Sequence, residues 1–109
     1  MRLDEYQTRA METAVYTTIG HPCVYPALGL AEESGETVGK VKRLFRDHAG
    51  EVTDAWRADM LLELGDVLWY LACTATELGF SLEQVASANL SKTKDRKQRG
   101  VIRGEGDNR

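Results

Sequence analysis

Apolar residues recur at helical spacing along most of the chain, and no stretch alternates with the period of two that marks a strand, the pair Val101-Ile102 being the one ambiguous case. A first amphipathic helix is predicted from Leu3 to about Thr18. The segment GHPCVYP, Gly20 to Pro26, holds both prolines and interrupts the helical pattern. Pro26 suits the first turn of a second helix, which runs to about His48 and stops at Ala49-Gly50, where glycine takes the left-handed cap without steric cost. A third helix is expected from about Asp54 to Leu78, with Thr53 or Asp54 as N-cap and Gly79 just past its end. Ser81-Leu82-Glu83-Gln84 has the form of a capping box and opens a fourth helix, ending near Gln98 before Gly100. The pattern predicts an all-α, four-helix bundle-like domain over residues 1–99. The last ten residues, GVIRGEGDNR, hold three glycines and little apolar content, and are expected to form a flexible tail.

Composition narrows the class. At 109 residues, 42% hydrophobic and 28% charged, the chain is one globular domain with room for a single modest core. Cys23 and Cys73 lack the spacing of a zinc or redox site and are expected to be packing thiols. The N-terminus is charged from its second residue, and the longest apolar run, Val67 to Cys73, is far short of the roughly 20 residues that span a bilayer. A cytoplasmic protein without membrane association is therefore expected. Residues 1–90 carry seven basic against fourteen acidic side chains, whereas residues 91–109 carry seven against three. An acidic body of this kind lacks the basic stripe of a nucleic-acid binder and would accept a phosphate ligand only through intervening cations.

The acids have a pattern of their own. On a helical wheel the second helix gathers Glu32, Glu33, Glu36 and Lys40 within one third of its circumference, opposite Leu28, Leu30, Ala31, Val38, Val41 and Phe45. Taken alone, that is a solvated acidic face. The third helix is different: Met60 to Cys73 is apolar nearly all round, yet includes Glu63 and Asp66. Carboxylates are rarely buried unless paired or bound to metal. Both pairs, Glu33/Glu36 and Glu63/Asp66, have the i, i+3 spacing that sets two side chains one above the other. Antiparallel packing of the two helices would bring four carboxylates to one point, a donor set suited to hard cations, Mg²⁺ first and Mn²⁺ next. The structural alternative is a salt-bridge network with Lys40, Lys42 or Arg43, which has enough positive charge for one or two of the acids. On the fourth helix Asn89, Lys92 and Arg96 share a face at i, i+3 and i+7, either a phosphate-holding surface or a solvated basic helix end.

Glu32-Glu33-x-x-Glu36 followed by Glu63-x-x-Asp66, set in GLAEESGE and LLELGDVLWY, resembles the EExxE…ExxD motif of the MazG-like all-α nucleotide pyrophosphohydrolases. The likeness extends from about Tyr25 to Gly100 and into RGVIRGEGDNR. It implies an all-α fold of that type and Mg²⁺-dependent cleavage of a nucleoside triphosphate between the α and β phosphates, giving monophosphate and pyrophosphate. It also implies a homodimer or homotetramer, in line with a chain too short to cover a helix that is apolar all round. Residue by residue, Glu33, Glu36, Glu63 and Asp66 match the metal ligands. Glu32 matches the preceding glutamate, which would orient or deprotonate water or give a supporting hydrogen bond. Tyr70, one turn after Asp66 on the same face, would lie beside the nucleotide or serve as a core tyrosine, and Asn89, Lys92 and Arg96 match the Asn and basic positions that would hold phosphate. Aromatic surfaces for a base are offered by Tyr16, Tyr25 and Trp56 or Trp69, with His21 nearby, but none reveals which base. Relatives acting on dCTP, dUTP or phosphoribosyl-ATP share the acidic site. The non-enzymatic rival is a helical oligomerisation or antitoxin-like module with structural acids. A di-iron bundle needs Glu-x-x-His twice, which is absent, and GETVGKV is too short for a P-loop.

Overall fold

Local capping chemistry places three of the four helices where the pattern put them. The computed structural model describes residues 1–109 and contains α1 (Leu3–Ala10), α2 (Val24–His48), α3 (Asp54–Glu77) and α4 (Leu82–Gln98), with no strand. The Thr53 side chain accepts from the Trp56 N–H at the start of α3, and the Ser81/Gln84 capping box is complete in both directions at the start of α4. At the end of α2 both Ala49 (φ 53°) and Gly50 (φ 74°) are left-handed, and the Gly50 N–H closes on the Leu44 carbonyl at 3.0 Å.

The first helix is shorter than its pattern predicts. It ends at Ala10, followed by one 3-10 turn, Met11–Thr13. The indole N–H of Trp69 on α3 donates to the Ala10 carbonyl (3.2 Å) and to Thr13 Oγ1 (3.0 Å), taking an acceptor that a longer helix would have used itself. The β-branched residues Val15, Thr17 and Thr18 then offer little helical propensity to resist the break.

The five residues Ala49–Thr53 turn α2 back onto α3, and these two long helices form the main packing unit. At one end α1 crosses α3 and the start of α4 over a small core of Ala10, Ala72, Ala75 and Leu82, flanked by Tyr6, Trp69 and Leu71. Buried Gln7 joins three elements there: its amide nitrogen donates to Thr76 Oγ1 and the Phe80 carbonyl, both 2.8 Å, and its oxygen accepts from the Leu82 N–H at 2.8 Å. The rest of the chain is open. The radius of gyration is 16.7 Å, against about 13 Å for a compact chain of this length. Leu28, Val38 and Phe45 on α2, and Leu61, Leu62 and Leu64 on α3, are exposed. Leu28, Val38 and Phe45 of α2 therefore lack cover within the chain, while Glu33 and Lys40 of the same helix meet acids of α3.

Candidate metal centre

Glu33 on α2 and Glu63 and Asp66 on α3 present carboxylate oxygens that lie within 4.8 Å of one another. The i, i+3 spacing brings the two α3 acids to one side of their helix, and the α2–α3 turn brings Glu33 across to them. A close backbone approach one turn further on helps to fix this register. Gly29, four residues before Glu33, faces Tyr70, four residues after Asp66; a Cβ at Gly29 would sit 2.2 Å from Tyr70 Cε1. Only glycine admits the ring there.

The trio is short of positive charge. Lys40 Nζ lies 3.4 Å from Glu63 Oε1, whereas Lys42 and Arg43 form no ion pair with the acids. One ammonium thus faces three carboxylates. Burial, followed by the neighbouring charges of Asp66, Glu32, Glu63 and Glu36, pushes the Glu33 carboxyl above the usual range. Oxygen donors crowded from two helices, with a charge deficit left over, fit a hard divalent cation. Glu32 and Glu36 are exposed and lie outside the trio, close enough for their charges to reach Glu33. The structure thus draws together three of the four acids expected to converge.

Aromatic rings adjoin the acids. Tyr70 meets Trp69 edge-on at 4.9 Å between centroids, Trp69 meets Tyr16 edge-on at 6.2 Å, and Tyr16 stacks on Tyr25 at 5.6 Å. The Tyr16 hydroxyl donates to Glu77 Oε1 at 2.6 Å; burial and that bond drive its pKa upward. Burial, then the charges of Tyr25, Glu33 and Glu32, raise that of Tyr70. Trp56 has a different task, its indole N–H reaching the Lys40 carbonyl at 3.3 Å to tie α3 to α2. His21 is exposed and accepts from the Cys23 N–H at 3.1 Å.

The three positions on α4 are not joined to the acids by any hydrogen bond or ion pair within the chain. Asn89 and Lys92 line a shallow groove with Phe80 and Val85, and Lys92 and Arg96 both pair with Asp107 of the C-terminal segment. Sequence reasoning missed Gly29, Gln7 and Asp107. A glycine inside a helix costs about 1 kcal/mol relative to alanine, so Gly29 carried a readable hint of close approach. Gln7 and Asp107 gave none, since their partners are distant in sequence or depend on the path of a glycine-rich segment.

The Gene 37 protein of Mycobacterium phage L5 is 44% identical over 114 residues, covering the whole of both chains. No solved structure matches the chain. The family model of the MazG nucleotide pyrophosphohydrolase domain matches residues 26–101, a span that contains all three acids of the trio and the whole of α4. The chain belongs to the MazG nucleotide pyrophosphohydrolase family.

Proposed function

We propose that this protein hydrolyses a nucleoside triphosphate, ribo or deoxy, to the monophosphate and pyrophosphate in the presence of Mg²⁺, with Mn²⁺ as a substitute, as a step in clearing the nucleotide pool. The observation that carries the proposal is the meeting of Glu33, Glu63 and Asp66 across two helices with one lysine to balance them. Glu33, Glu63 and Asp66 would hold the cation, with Glu36, one turn along α2, as the further ligand. A cation held there would supply charge screening for the phosphates and a lowered pKa for water. Glu32, exposed beside the trio, receives the proton of the attacking water or orients that water by hydrogen bonding. Tyr70, packed against Gly29 and next to Glu33, borders the nucleotide. Asn89 and Lys92 meet the distal phosphates, since charge-assisted contacts are the stronger hydrogen bonds to such groups.

The working unit is a homodimer or homotetramer. Exposed Leu28, Val38, Phe45, Leu61 and Leu64 support this, because a set of uncovered large apolar side chains needs a partner surface. The second copy is also the means by which an α4 reaches acids that it does not touch within its own chain.

The test is a panel of the common ribo- and deoxynucleoside triphosphates incubated with Mg²⁺, with monophosphate and pyrophosphate both quantified. Equimolar release of the two is expected. Release of orthophosphate in place of pyrophosphate overturns the assigned bond, and no turnover with any substrate returns the acids to the structural role hinted at by the Lys40–Glu63 pair.

A further inference from the structure

The residues after α4 do not trail away from it. Gly100 (φ 72°) turns the chain, and the residues that follow are tied both to one another and to the helix. Arg109 donates to the carbonyls of Val101 and Ile102, both at 3.1 Å, and to that of Gly106, while Arg99 Nη2 donates to the Arg109 carbonyl at 2.6 Å. Arg96 fastens this loop to α4. Its Nη2 donates to Asp107 Oδ1 (3.0 Å) and to the carbonyls of Asp107 (3.0 Å) and Gly106 (3.4 Å). The same Oδ1 accepts from Lys92 Nζ at 3.2 Å.

The two cations on Asp107 are not equivalent. Arg96 is 7% exposed, makes all its bonds to the loop through one nitrogen, and has a buried Nε with no partner. It is committed to the loop and out of reach of a ligand. A buried guanidinium requires a counter-charge, and Asp107 is the one carboxylate it meets. Lys92 has 43% of its side chain exposed. It gives one N–H to Asp107 and has two more to offer. Arg96, Lys92 and Asp107 together carry one net positive charge, and that surplus reaches solvent at Lys92. Because Arg96 already balances Asp107, the carboxylate orients the ammonium without cancelling it. The two cations in turn hold the Asp107 carboxyl below the usual range.

We infer that residues 100–109 form a clasp that fixes Lys92 as a preorganised donor to the pyrophosphate end of the triphosphate, with Arg96 and Asp107 as positioning residues that act through Lys92 without touching substrate. This rests on the functional reading above. A lysine held by a carboxylate loses less side-chain freedom when it meets phosphate than a free one does, so the clasp converts an ordering cost of binding into one already met in folding. The distinction from a lid is in the sign: a lid carboxylate that occupied the phosphate position would compete with substrate, whereas this one assists it.

The experiment compares wild type, Lys92→Ala, Asp107→Asn and the double variant. Affinity for inorganic pyrophosphate with Mg²⁺ is read by calorimetry, and KM and kcat are read on the best triphosphate. Lys92→Ala is expected to weaken pyrophosphate binding and raise KM by roughly tenfold, and Asp107→Asn by about threefold or more. The double variant should bind no more than about twofold worse than Lys92→Ala, because Asp107 has nothing left to act through. Multiplying losses in the double variant, tighter pyrophosphate binding by Asp107→Asn, or no pyrophosphate binding by wild type each overturn the clasp. Should Asp107→Asn fold poorly by its melting curve, Arg96→Lys serves in its place. It keeps the charge and loses the Nη2 that bonds the loop, and its effect should likewise vanish in the Lys92→Ala background; a persisting effect makes Arg96 a direct ligand. Wild type that binds pyrophosphate but cleaves no triphosphate overturns the functional reading alone, and the binding arm still decides the clasp.

Discussion

Replacing Gly29 by alanine adds one methyl group at the point where α2 meets the Tyr70 ring. That methyl carbon would lie 2.2, 2.4 and 2.5 Å from three ring atoms. Carbon atoms in good contact are about 3.5–4.0 Å apart, so ring or helix must retreat by more than about 1 Å. Overpacking of this kind costs about 1–3 kcal/mol. Alanine returns about 0.8–1 kcal/mol through its better helix propensity, leaving a net loss of about 1 kcal/mol. For a domain near 100 residues that corresponds to a melting temperature roughly 4–8 °C lower. Gly35 provides the control on the same helix, because a Cβ there meets nothing within 4 Å. Gly35→Ala should therefore melt higher than wild type by a few degrees, on the propensity gain alone. Paired thermal melts monitored by circular dichroism, with and without Mg²⁺, measure both effects. The displaced Tyr70 should also spread Glu33 from Asp66, so the metal-induced rise in melting temperature should shrink in Gly29→Ala. If Gly29→Ala melts at or above wild type, the close approach of α2 to Tyr70 is wrong, and with it the account of what holds the acids in register.

The acids predict a response to metal. Millimolar Mg²⁺ or Mn²⁺ should raise the melting temperature, and Glu36→Gln and Asp66→Asn should abolish hydrolysis while keeping the helical spectrum and melting no lower than metal-free wild type. Glu33 gives the sign with pH: its carboxyl is raised above its ordinary 4.5, so its contribution to stability is present below that value and lost as pH rises through the higher folded value. Metal-free protein should accordingly lose stability over that range, and Mg²⁺ should offset the loss. Gln7→Leu removes the bonds to Thr76, Phe80 and Leu82 together and leaves a buried Leu82 N–H unpartnered, which should cost about 1–3 kcal/mol or more in urea denaturation. Burial, then the charge of Glu77, pushes the Cys73 thiol from 9.0 up to about 11, so the fold favours the neutral thiol and loses stability as pH climbs from 9.0 towards 11. At pH 8 a disulfide reagent should titrate Cys23 in the native protein and reach Cys73 only after denaturation; equal rates for both would place Cys73 at the surface.

Most helix ends were legible in the sequence because the groups that set them lie within a few residues of one another. Thr53 finds the Trp56 N–H three positions on, Ser81 and Gln84 bond each other, and Ala49-Gly50 closes on Leu44. The acid pairs were legible for the same reason, since i, i+3 spacing on one helix follows from the helical repeat. The end of α1 was not, because the bonds that stop it come from Trp69, 59 positions away at Ala10. Tertiary register alone selected Glu33, rather than the whole of Glu32-Glu33-x-x-Glu36, to meet Glu63 and Asp66, and gave Lys40 to Glu63. The glycines and charges of the last ten residues gave no sign of the hydrogen bonds that Arg96, Arg99 and Arg109 make in that segment, because those bonds depend on the path the chain takes after α4. A helical wheel reports which side chains share a face, but not which face the neighbouring helix will cover, and here Glu33 and Lys40 of α2 meet α3 while Leu28, Val38 and Phe45 stay uncovered. That choice depends on contacts between segments far apart in sequence, each requiring a register that no local pattern encodes.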